Sequence, residues 1–368
     1  MQFRSVLWPV AVVAISSVSV APARASSGES RQPAPSLKPV CSQLSNVQTG
    51  THGDRVYTYD LRGKKIKMTV PAESFDARTA SAQRIKEAGY PARPKSGTKA
   101  STRWMRAFGR PSPRSTGAPP GPCVLPGVEA AAATSWNYNG YRGLDANTDK
   151  IDEVSMAYTA PTYTDAQCSA DSFTDWTGIY DNTVTPNKLV QTGMYVIHYS
   201  SALIKGAFWE IVGGALDTGG LVQIPNVGYT PGHVYSFTVY IDTVDSLNAI
   251  YFNISDLTAE ETGDFSHDAA IEYNDSRVSD YLAPVAFFTS ERMREPSGQL
   301  STYMKAAGHK FKYAGADFMA NWVTLSSMNQ QAYTMTSKDF LTTLGTSGAV
   351  SSVDDSFTAS WKACGSVE

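Results

Sequence analysis

The segment VYSFTVYID (234–242) decides the fold class, because its side chains alternate along the chain. Successive side chains of an extended strand point to opposite faces, and one face here carries Tyr235, Phe237, Val239 and Ile241. Similar short apolar runs, separated by Gly, Pro, Asn and Asp, lie at residues 194–201, 249–257, 309–318 and 356–363. Helical periodicity is nearly absent after residue 134. We therefore predict an all-β fold, an antiparallel β-sandwich of the concanavalin-like or jelly-roll type.

The first 25 residues have the layout of an export signal. Arg4 precedes an apolar stretch, and Ala-Arg-Ala ending at Ala25 offers small residues at the cleavage positions. The apolar stretch is shorter than the ~20 residues that a membrane span needs. We expect a secreted, extracellular protein with no membrane partner.

A small α+β prosegment is predicted for residues 26–109. RVYTYDLRGKKIKMTVP (55–71) alternates like a β-hairpin, SFDARTASAQRIKEAG (74–89) fits a helix capped by its first serine, and STRWMRAFG (101–109) fits a second helix. RPSPRSTGAPPGPCVLPG (110–127) is too rich in Pro and Gly for a regular element. It is predicted to be a linker and processing region before an acidic β-sandwich domain at 128–368.

Charge divides the chain in the same way. Residues 26–120 hold 17 Lys and Arg against 6 Asp and Glu, a net charge of +11, and residues 121–368 hold 12 against 28, a net charge of −16. This complementarity suits a basic prosegment that lies on the acidic domain as an intramolecular inhibitor. The alternative is two solvated domains whose charges are unrelated. Aromatic residues are few in the basic part, so no nucleic-acid partner is expected.

The four cysteines, Cys41, Cys123, Cys168 and Cys364, are far apart and form no CxxC pair. In an exported chain this spacing allows zero to two disulfides, with three possible full pairings. The five histidines are dispersed and none lies in an HExxH helix, so the sequence predicts neither a metal nor another cofactor.

One short motif resembles a catalytic site but is incomplete. Asp217-Thr218-Gly219 matches the tripeptide around each catalytic aspartate of pepsin-like proteases, and it occurs once. Those enzymes need two facing carboxylates that share a proton. The motif is therefore predicted to be a loop between strands.

The order of segments in the β-rich part resembles the glutamic peptidases (eqolisins) in their secreted bacterial form. The segments are NYNGY (137–141), VSMAYTAPTYT (154–164), DWTGIYD (175–181), LVQTG (189–193), GAFWEIVGG (206–214), YTPGHVYSFTVYI (229–241), SERMREP (290–296) and DDSFTASW (354–361). GYPARP followed by RWMRAF resembles the prosegment ending of bacterial members. The resemblance implies a zymogen of a metal-independent endopeptidase, with protein or peptide substrates and a monomeric state.

The resemblance also implies a catalytic pair. Gln191 matches the catalytic glutamine and Glu291 the catalytic glutamate, while Glu210 matches a supporting acidic residue and Trp176 an aromatic residue of the cleft wall. A carboxylate is able to take a proton from water, and an amide that does not titrate remains a donor for the oxyanion in acid. Acid activity is expected. By strand parity Gly193 shares the face of Gln191 and is expected to leave open space for a substrate backbone.

Two departures from the family pattern concern the cleft. Tyr180, predicted to bind substrate, replaces an aspartate, and Arg292 replaces a tryptophan after the catalytic glutamate. These changes favour a second hypothesis, a non-catalytic, lectin-like sandwich that binds glycans or peptides. A third is a glycoside hydrolase with Glu210 and Glu291 as its two carboxylates, whose separation would be ~5 or ~6.5–9.5 Å.

Overall fold

A computed structural model of the chain describes residues 40–61, 64–72, 74–88, 93, 96, 105, 123–124, 138–144, 150–164, 168, 171–181, 183–199, 202–224, 226–243, 248–262, 264, 267–293, 301–318, 321–337 and 341–366. The signal sequence predicted for 1–25 lies outside these residues, as does most of the helix predicted for 101–109. No helix in the described part of the chain is long and apolar enough to span a bilayer.

The described chain consists mainly of short strands. In chain order they are β1 (Val40–Cys41), β2 (Gln43–Thr49), β3 (Arg55–Leu61), β4 (Lys64–Val70), β5 (Cys123–Val124), β6 (Tyr138–Leu144), β7 (Glu153–Thr159), β8 (Asp171–Asp181), β9 (Lys188–Tyr199), β10 (Ala202–Val212), β11 (Val222–Ile224), β12 (Val234–Asp242), β13 (Ala249–Asp256), β14 (Ala269–Asn274), β15 (Val285–Glu291), β16 (Thr302–Tyr303), β17 (His309–Phe318), β18 (Asn321–Thr324), β19 (Asn329–Tyr333), β20 (Met335–Thr336), β21 (Thr343–Ser347) and β22 (Phe357–Trp361). Two short helices are α1 (Ala82–Glu87) and α2 (Leu257–Glu261).

These strands form two sheets. Sheet A has the order β1-β5-β11-β10-β9-β8-β15-β6-β19, with β16 pairing one end of β8. Sheet B has the order β2-β3-β4-β14-β13-β12-β7-β17-β22-β21-β20, with β18 pairing β17. All pairings are antiparallel except that of β16 with β8. The prediction of an all-β antiparallel fold is confirmed.

The main hydrophobic core lies between the two sheets. Trp209 of β10 in sheet A packs on Phe252 of β13 in sheet B, with ring centroids 4.9 Å apart. Strand β12 has the bounds 234–242 expected from its alternation, and its apolar set, which includes Phe237, is fully buried. Burying one such large side chain contributes about 1.5–3 kcal/mol, so the alternation read from the sequence fixes which face of β12 meets the core.

Sheet A also carries a hydrophobic cluster on its other face, which we call the outer face. Its buried members are Tyr138, Trp176, Tyr180, Leu189, Tyr195, Ile197, Phe208, Leu221, Val285, Phe287 and Met293. Strands β8, β9 and β15 therefore bury apolar side chains on both faces, unlike a sheet with one face in water. The predicted site residues lie on this outer face.

The hairpin predicted for 55–71 forms, with Leu61 opposite Lys64 where β3 meets β4. The predicted helix 74–89 was too long, because α1 begins only at Ala82. Asp76 accepts a hydrogen bond from the Arg78 N–H at 2.9 Å and holds a turn there instead. The helix is capped by Ser81, whose Oγ accepts from the Arg84 N–H at 3.2 Å, and not by the serine at 74.

The strands that lie N-terminal to residue 125 extend both sheets. In sheet B, Lys67 of β4 pairs with Glu272 of β14, and in sheet A, β1 reaches β11 through β5. Leu37–Glu368 forms one compact unit. Within residues 40–88, the buried Asp54 accepts from Arg84 Nη2 at 2.6 Å and from the Ala72 N–H at 2.8 Å. The domain division at 110–127 stays a prediction.

A disulfide joins Cys168 to Cys364, with Cα atoms 5.6 Å apart. This bond excludes two of the three full pairings that the sequence allowed. The backbone register places Cys41 of β1 opposite Cys123 of β5.

Candidate active site

The five predicted site residues lie on four adjacent strands of sheet A. Glu210 is on β10, Gln191 on β9, Trp176 and Tyr180 on β8, and Glu291 on β15. The register places their side chains on the outer face, where at most 4% of each residue is exposed. Gln191 and Glu291, which are 100 residues apart in sequence, thus share one surface because only β8 lies between β9 and β15.

Gln191 is fixed by an acidic neighbour. It pairs directly with Glu210 across β9 and β10, and its Nε2 donates to Glu210 Oε2 at 2.6 Å. Because an ionised carboxylate only accepts hydrogen bonds, this contact turns the NH₂ end of the amide toward Glu210. Gln191 Oε1 is buried and accepts no hydrogen bond from the described residues. The orientation of the amide is therefore set by Glu210.

Glu291 has a different partner. Its Oε2 accepts from the indole Nε1 of Trp176 at 2.8 Å, and Tyr138 of β6 is its register partner. Burial, with the charges of Glu291 and Glu210 adding to it, raises the pKa of the Tyr138 phenol well above its usual value. The Tyr138 phenol therefore stays neutral near two carboxylates, and Trp176 orients the Glu291 carboxylate.

The register offsets Gln191 from Glu291 along the strands. Residues that pair with one another across neighbouring strands form a row that crosses the sheet. Gln191 pairs with Gly178, and Gly178 pairs with Phe287, so Phe287 is the residue of β15 in the row of Gln191. Glu291 lies four residues further along β15, or about 13 Å at ~3.3 Å per residue. The structure brings Gln191 to Glu210 and Trp176 to Glu291, and it does not bring the Gln191 amide into contact with the Glu291 carboxylate.

Phe287 is the centre of an aromatic cluster that the sequence analysis missed. Its ring centroid lies 5.6 Å from that of Tyr138, 5.8 Å from Trp176, 5.3 Å from Tyr180 and 5.9 Å from Tyr333. Such offset and tilted ring pairs each add about 0.5–1.5 kcal/mol beyond area burial. The alternation of Val285, Phe287 and Thr289 on the face of Glu291 was the available signal.

Gly193 does not leave open space, which corrects the expectation from strand parity. A Cβ atom there would lie 2.1 Å from the carbonyl oxygen of Asp175 and 2.7 Å from Cα of Trp176. The missing side chain instead lets β8 and Trp176 approach β9 closely. The glycine shapes the site by admitting Trp176 next to Gln191.

Tyr180 and Arg292, the two departures from the family pattern, occupy different places. Tyr180 OH accepts from Asn187 Nδ2 at 2.8 Å, and burial is the main cause of its raised pKa. Arg292 is fully buried, and its Nη1 donates to the carbonyl oxygens of Ser301 at 3.4 Å and Ser366 at 3.3 Å. Tyr180 is thus part of the outer-face cluster, whereas Arg292 binds the C-terminal segment.

Asp217 lies in a loop, as predicted. It follows a 3-10 turn at Gly214–Leu216 between β10 and β11, and its carboxylate accepts from the N–H groups of Gly213 at 2.7 Å and Gly219 at 2.6 Å. Both carboxylate oxygens therefore stabilise the turn. In the described part of the chain, no group of three or more His, Cys, Asp or Glu residues is arranged to hold a metal ion.

Comparison with solved structures finds proteins of similar fold. The crystal structure of scytalido-glutamic peptidase with a transition state analog inhibitor is 15% identical with a TM-score of 0.47, and the match covers 64% of this chain and 100% of that one. The same peptidase with a peptide-based transition state analog is 14% identical, with a TM-score of 0.46 and the same coverage. Aspergilloglutamic peptidase from Aspergillus niger is 15% identical with a TM-score of 0.39, over 52% of this chain and 99% of that one. No family model and no curated protein matches the chain. All three of these structures are of glutamic peptidases.

Proposed function

We propose that the protein is a secreted acid endopeptidase of the glutamic peptidase type, made as a zymogen, with Glu291 as general base and Gln191 as oxyanion donor. The observation that carries the proposal is the fixed amide: Gln191 is fully buried and held at 2.6 Å by Glu210, on the same face as Glu291. Stabilisation of an oxyanion requires a preorganised neutral donor, and the amide Nε2 carries two hydrogens, of which one bonds Glu210.

The reaction needs one base and one donor. Glu291 takes a proton from water, and the water oxygen bonds to the carbonyl carbon of the scissile peptide. The carbonyl oxygen becomes an oxyanion and accepts a hydrogen bond from Gln191 Nε2. When the C–N bond breaks, the proton held by Glu291 passes to the leaving amine, and Glu291 is again a carboxylate.

The four-residue offset places a requirement on the substrate. Trp176 lies in the row between the rows of Gln191 and Glu291, because it pairs with Gly193 on one side and Thr289 on the other. A scissile peptide that contacts both groups has to lie over the Trp176 indole. In this arrangement Trp176 both orients the base and supports the substrate.

Burial of the site supports the zymogen part of the proposal. In the 368-residue chain, Gln191 and Glu291 are 0% exposed and Glu210 is 1% exposed. A substrate has no access to groups buried to this extent. In this proposal the outer face opens on maturation before a peptide is hydrolysed, and the charge difference between the two parts of the chain falls in acid as carboxylates are protonated.

One assay tests the activity and the site. The purified chain is incubated at pH 3–7 while its mass is followed, and casein digestion is then measured at about pH 4 for wild type, Gln191→Ala and Glu291→Gln. Loss of one oxyanion donor is expected to lower kcat by ~10²–10³. Gln330→Ala, at an exposed position of β19, is the matched control. If the matured wild type digests nothing, the peptidase proposal fails, and if either site variant remains fully active, the residue assignment fails.

The position of Phe287 favours a second candidate, a non-catalytic sandwich that binds peptides or glycans. An aromatic side chain, not a carboxylate, occupies the row of Gln191, and aromatic clusters bind apolar side chains and sugar faces. This candidate predicts ligand binding without hydrolysis by the matured protein, and loss of binding in Phe287→Ala. The positions of the two carboxylates do not support the glycosidase alternative, because strands β9 and β8 lie between the strand of Glu210 and that of Glu291.

A further inference from the structure

A polar cluster lies in the core directly behind the candidate active site. Asp175 Oδ2 accepts a hydrogen bond from the hydroxyl of Tyr158 and contacts His309 Nδ1 at 2.8 Å. Asp175 is on β8 of sheet A, whereas Tyr158 and His309 are on β7 and β17 of sheet B, and all three are 0% exposed. The cluster therefore joins the two sheets through the apolar core.

The cluster is adjacent to β15, which carries Glu291, and to β8, whose Trp176 contacts Glu291. Asp175 points to the core, and its chain neighbour Trp176 points to the outer face, where it donates to Glu291. On β15, the register partner of Asp175 is Ser290, the neighbour of Glu291. On β8 and on β15, a residue of the core cluster is thus the direct chain neighbour of a residue of the candidate site.

A second contact closes the cluster around β15. Ser290 Oγ accepts from Tyr303 OH at 2.9 Å, and the Tyr303 ring stacks on His309 with centroids 5.9 Å apart. Phe173 of β8 packs edge-on against the other side of the cluster, 4.9 Å from the His309 ring. His309 is therefore held between β8 and β16 and links Asp175 to Ser290.

Asp175 and His309 are the ionisable pair in direct contact within this cluster. The other titratable groups that face it are Tyr158, Tyr229 and Tyr303, and burial raises the pKa of each, with the Asp175 charge as a further cause. These phenols stay neutral at all ordinary pH values. Asp175 Oδ1 and His309 Nε2 have no hydrogen-bond partner among the described residues. A half-satisfied buried pair stabilises a fold less than apolar side chains of similar volume, so stability alone does not account for it.

We propose that Asp175 and His309 are positioning residues, which lock β8 and β15 from the core side and so hold the Trp176 indole against Glu291. The kinetic part of this inference rests on the proposed peptidase function, and the structural part does not. Loss of the lock allows the two strands to shift, and a displacement of about 1 Å at a reacting group is enough to lower a rate by ~10²-fold.

The test uses the indole N–H resonance of Trp176 in the ¹⁵N-labelled full-length chain, assigned with Trp176→Phe. His309→Gln and Tyr158→Phe each remove one contact of Asp175, and Tyr158→Phe does so without removing volume. Tyr281→Phe is the matched control, because it deletes a buried hydroxyl that bonds Gly213, away from the cluster. Both test variants are expected to shift the Trp176 resonance and to speed its hydrogen exchange by roughly ten-fold, whereas the control leaves both unchanged.

Kinetics of the matured protein add a second readout. The test variants are expected to lower kcat by about 10- to 100-fold with little change in KM, because the substrate surface is retained and the base is misplaced. A folded variant whose Trp176 resonance and exchange match those of the wild type overturns the inference. If the wild type hydrolyses no peptide, the proposed function fails, and the indole readout still decides whether the core pair positions Trp176.

Discussion

The 2.6 Å contact between Gln191 and Glu210 makes Gln191→Glu an informative substitution. The new side chain has the same shape but replaces the donor NH₂ with a carboxyl oxygen. Two carboxylates this close cannot both ionise in a buried site, so the pair keeps one proton and its pKa is raised. The wild-type contact needs no such proton.

The size of the effect follows from proton linkage. An unfolded Glu titrates near pH ~4.3, so above that value the folded variant binds one proton more than the unfolded chain does. Its free energy of unfolding then falls by about 1.4 kcal/mol for each pH unit, relative to the wild type, until the raised pKa is reached. Below pH ~4 both states hold the proton and this penalty vanishes. By about pH 6.3 we expect a loss of roughly 2.7 kcal/mol.

Urea unfolding of the full-length chain, followed by circular dichroism between pH 3.5 and 6.5, measures this difference. Gln330→Glu makes the same chemical change at an exposed position and should unfold with the pH dependence of the wild type. The reasoning is refuted if Gln191→Glu also shows the wild-type pH dependence, because the two side chains are then not in contact.

Three further substitutions test the packing. Gly193→Ala would place a Cβ atom 2.7 Å from Cα and Cβ of Trp176, and we expect it to lower the free energy of unfolding by about 3 kcal/mol; an unchanged urea midpoint would contradict the close approach of β8 and β9. Arg84→Met leaves the buried Asp54 carboxylate without its ion-pair partner and should cost ~3–5 kcal/mol, seen as faster limited proteolysis within residues 40–88. Cys364→Ser breaks a disulfide that spans 196 residues and should cost ~2–5 kcal/mol, and an equal Tm for variant and wild type under oxidising conditions would argue against the bond.

The sequence predicted those elements whose signal is local. Strand β12 was placed correctly at both ends, because its alternation is strict and Pro231-Gly232 precedes it. The helix predicted for 74–89 was too long, because a turn at Asp76 and a cap at Ser81 compete with helical periodicity over its first half. Side-chain hydrogen bonds of this kind depend on local geometry that residue pattern alone does not specify.

The candidate site shows the limit of parity arguments. Residues 287, 289 and 291 share one face of β15, so the two-residue period cannot decide which of them is level with Gln191. The residue level with Gln191 is decided by the pairing of β8 with β9 and with β15, and this pairing places Phe287 there. The same period correctly placed Gly193 beside Gln191, but it gave no sign that Trp176 from the adjacent strand fills the space.

Strands β1 and β4, which lie in the proposed prosegment, have a consequence for solubility. Among the described strands β14 is an inner strand, because β4 pairs with it, and β5 is covered by β1. On the proposed maturation both lose a neighbour, and two rows of backbone N–H and C=O groups become open to an added strand. A second copy of the chain offers such strands, and the net negative charge that keeps copies apart at pH 7 is weakest in acid. If acid matures the protein as proposed, release of activity and exposure of self-associating edges have a common trigger, and the protein is then most prone to aggregate under the conditions that mature it.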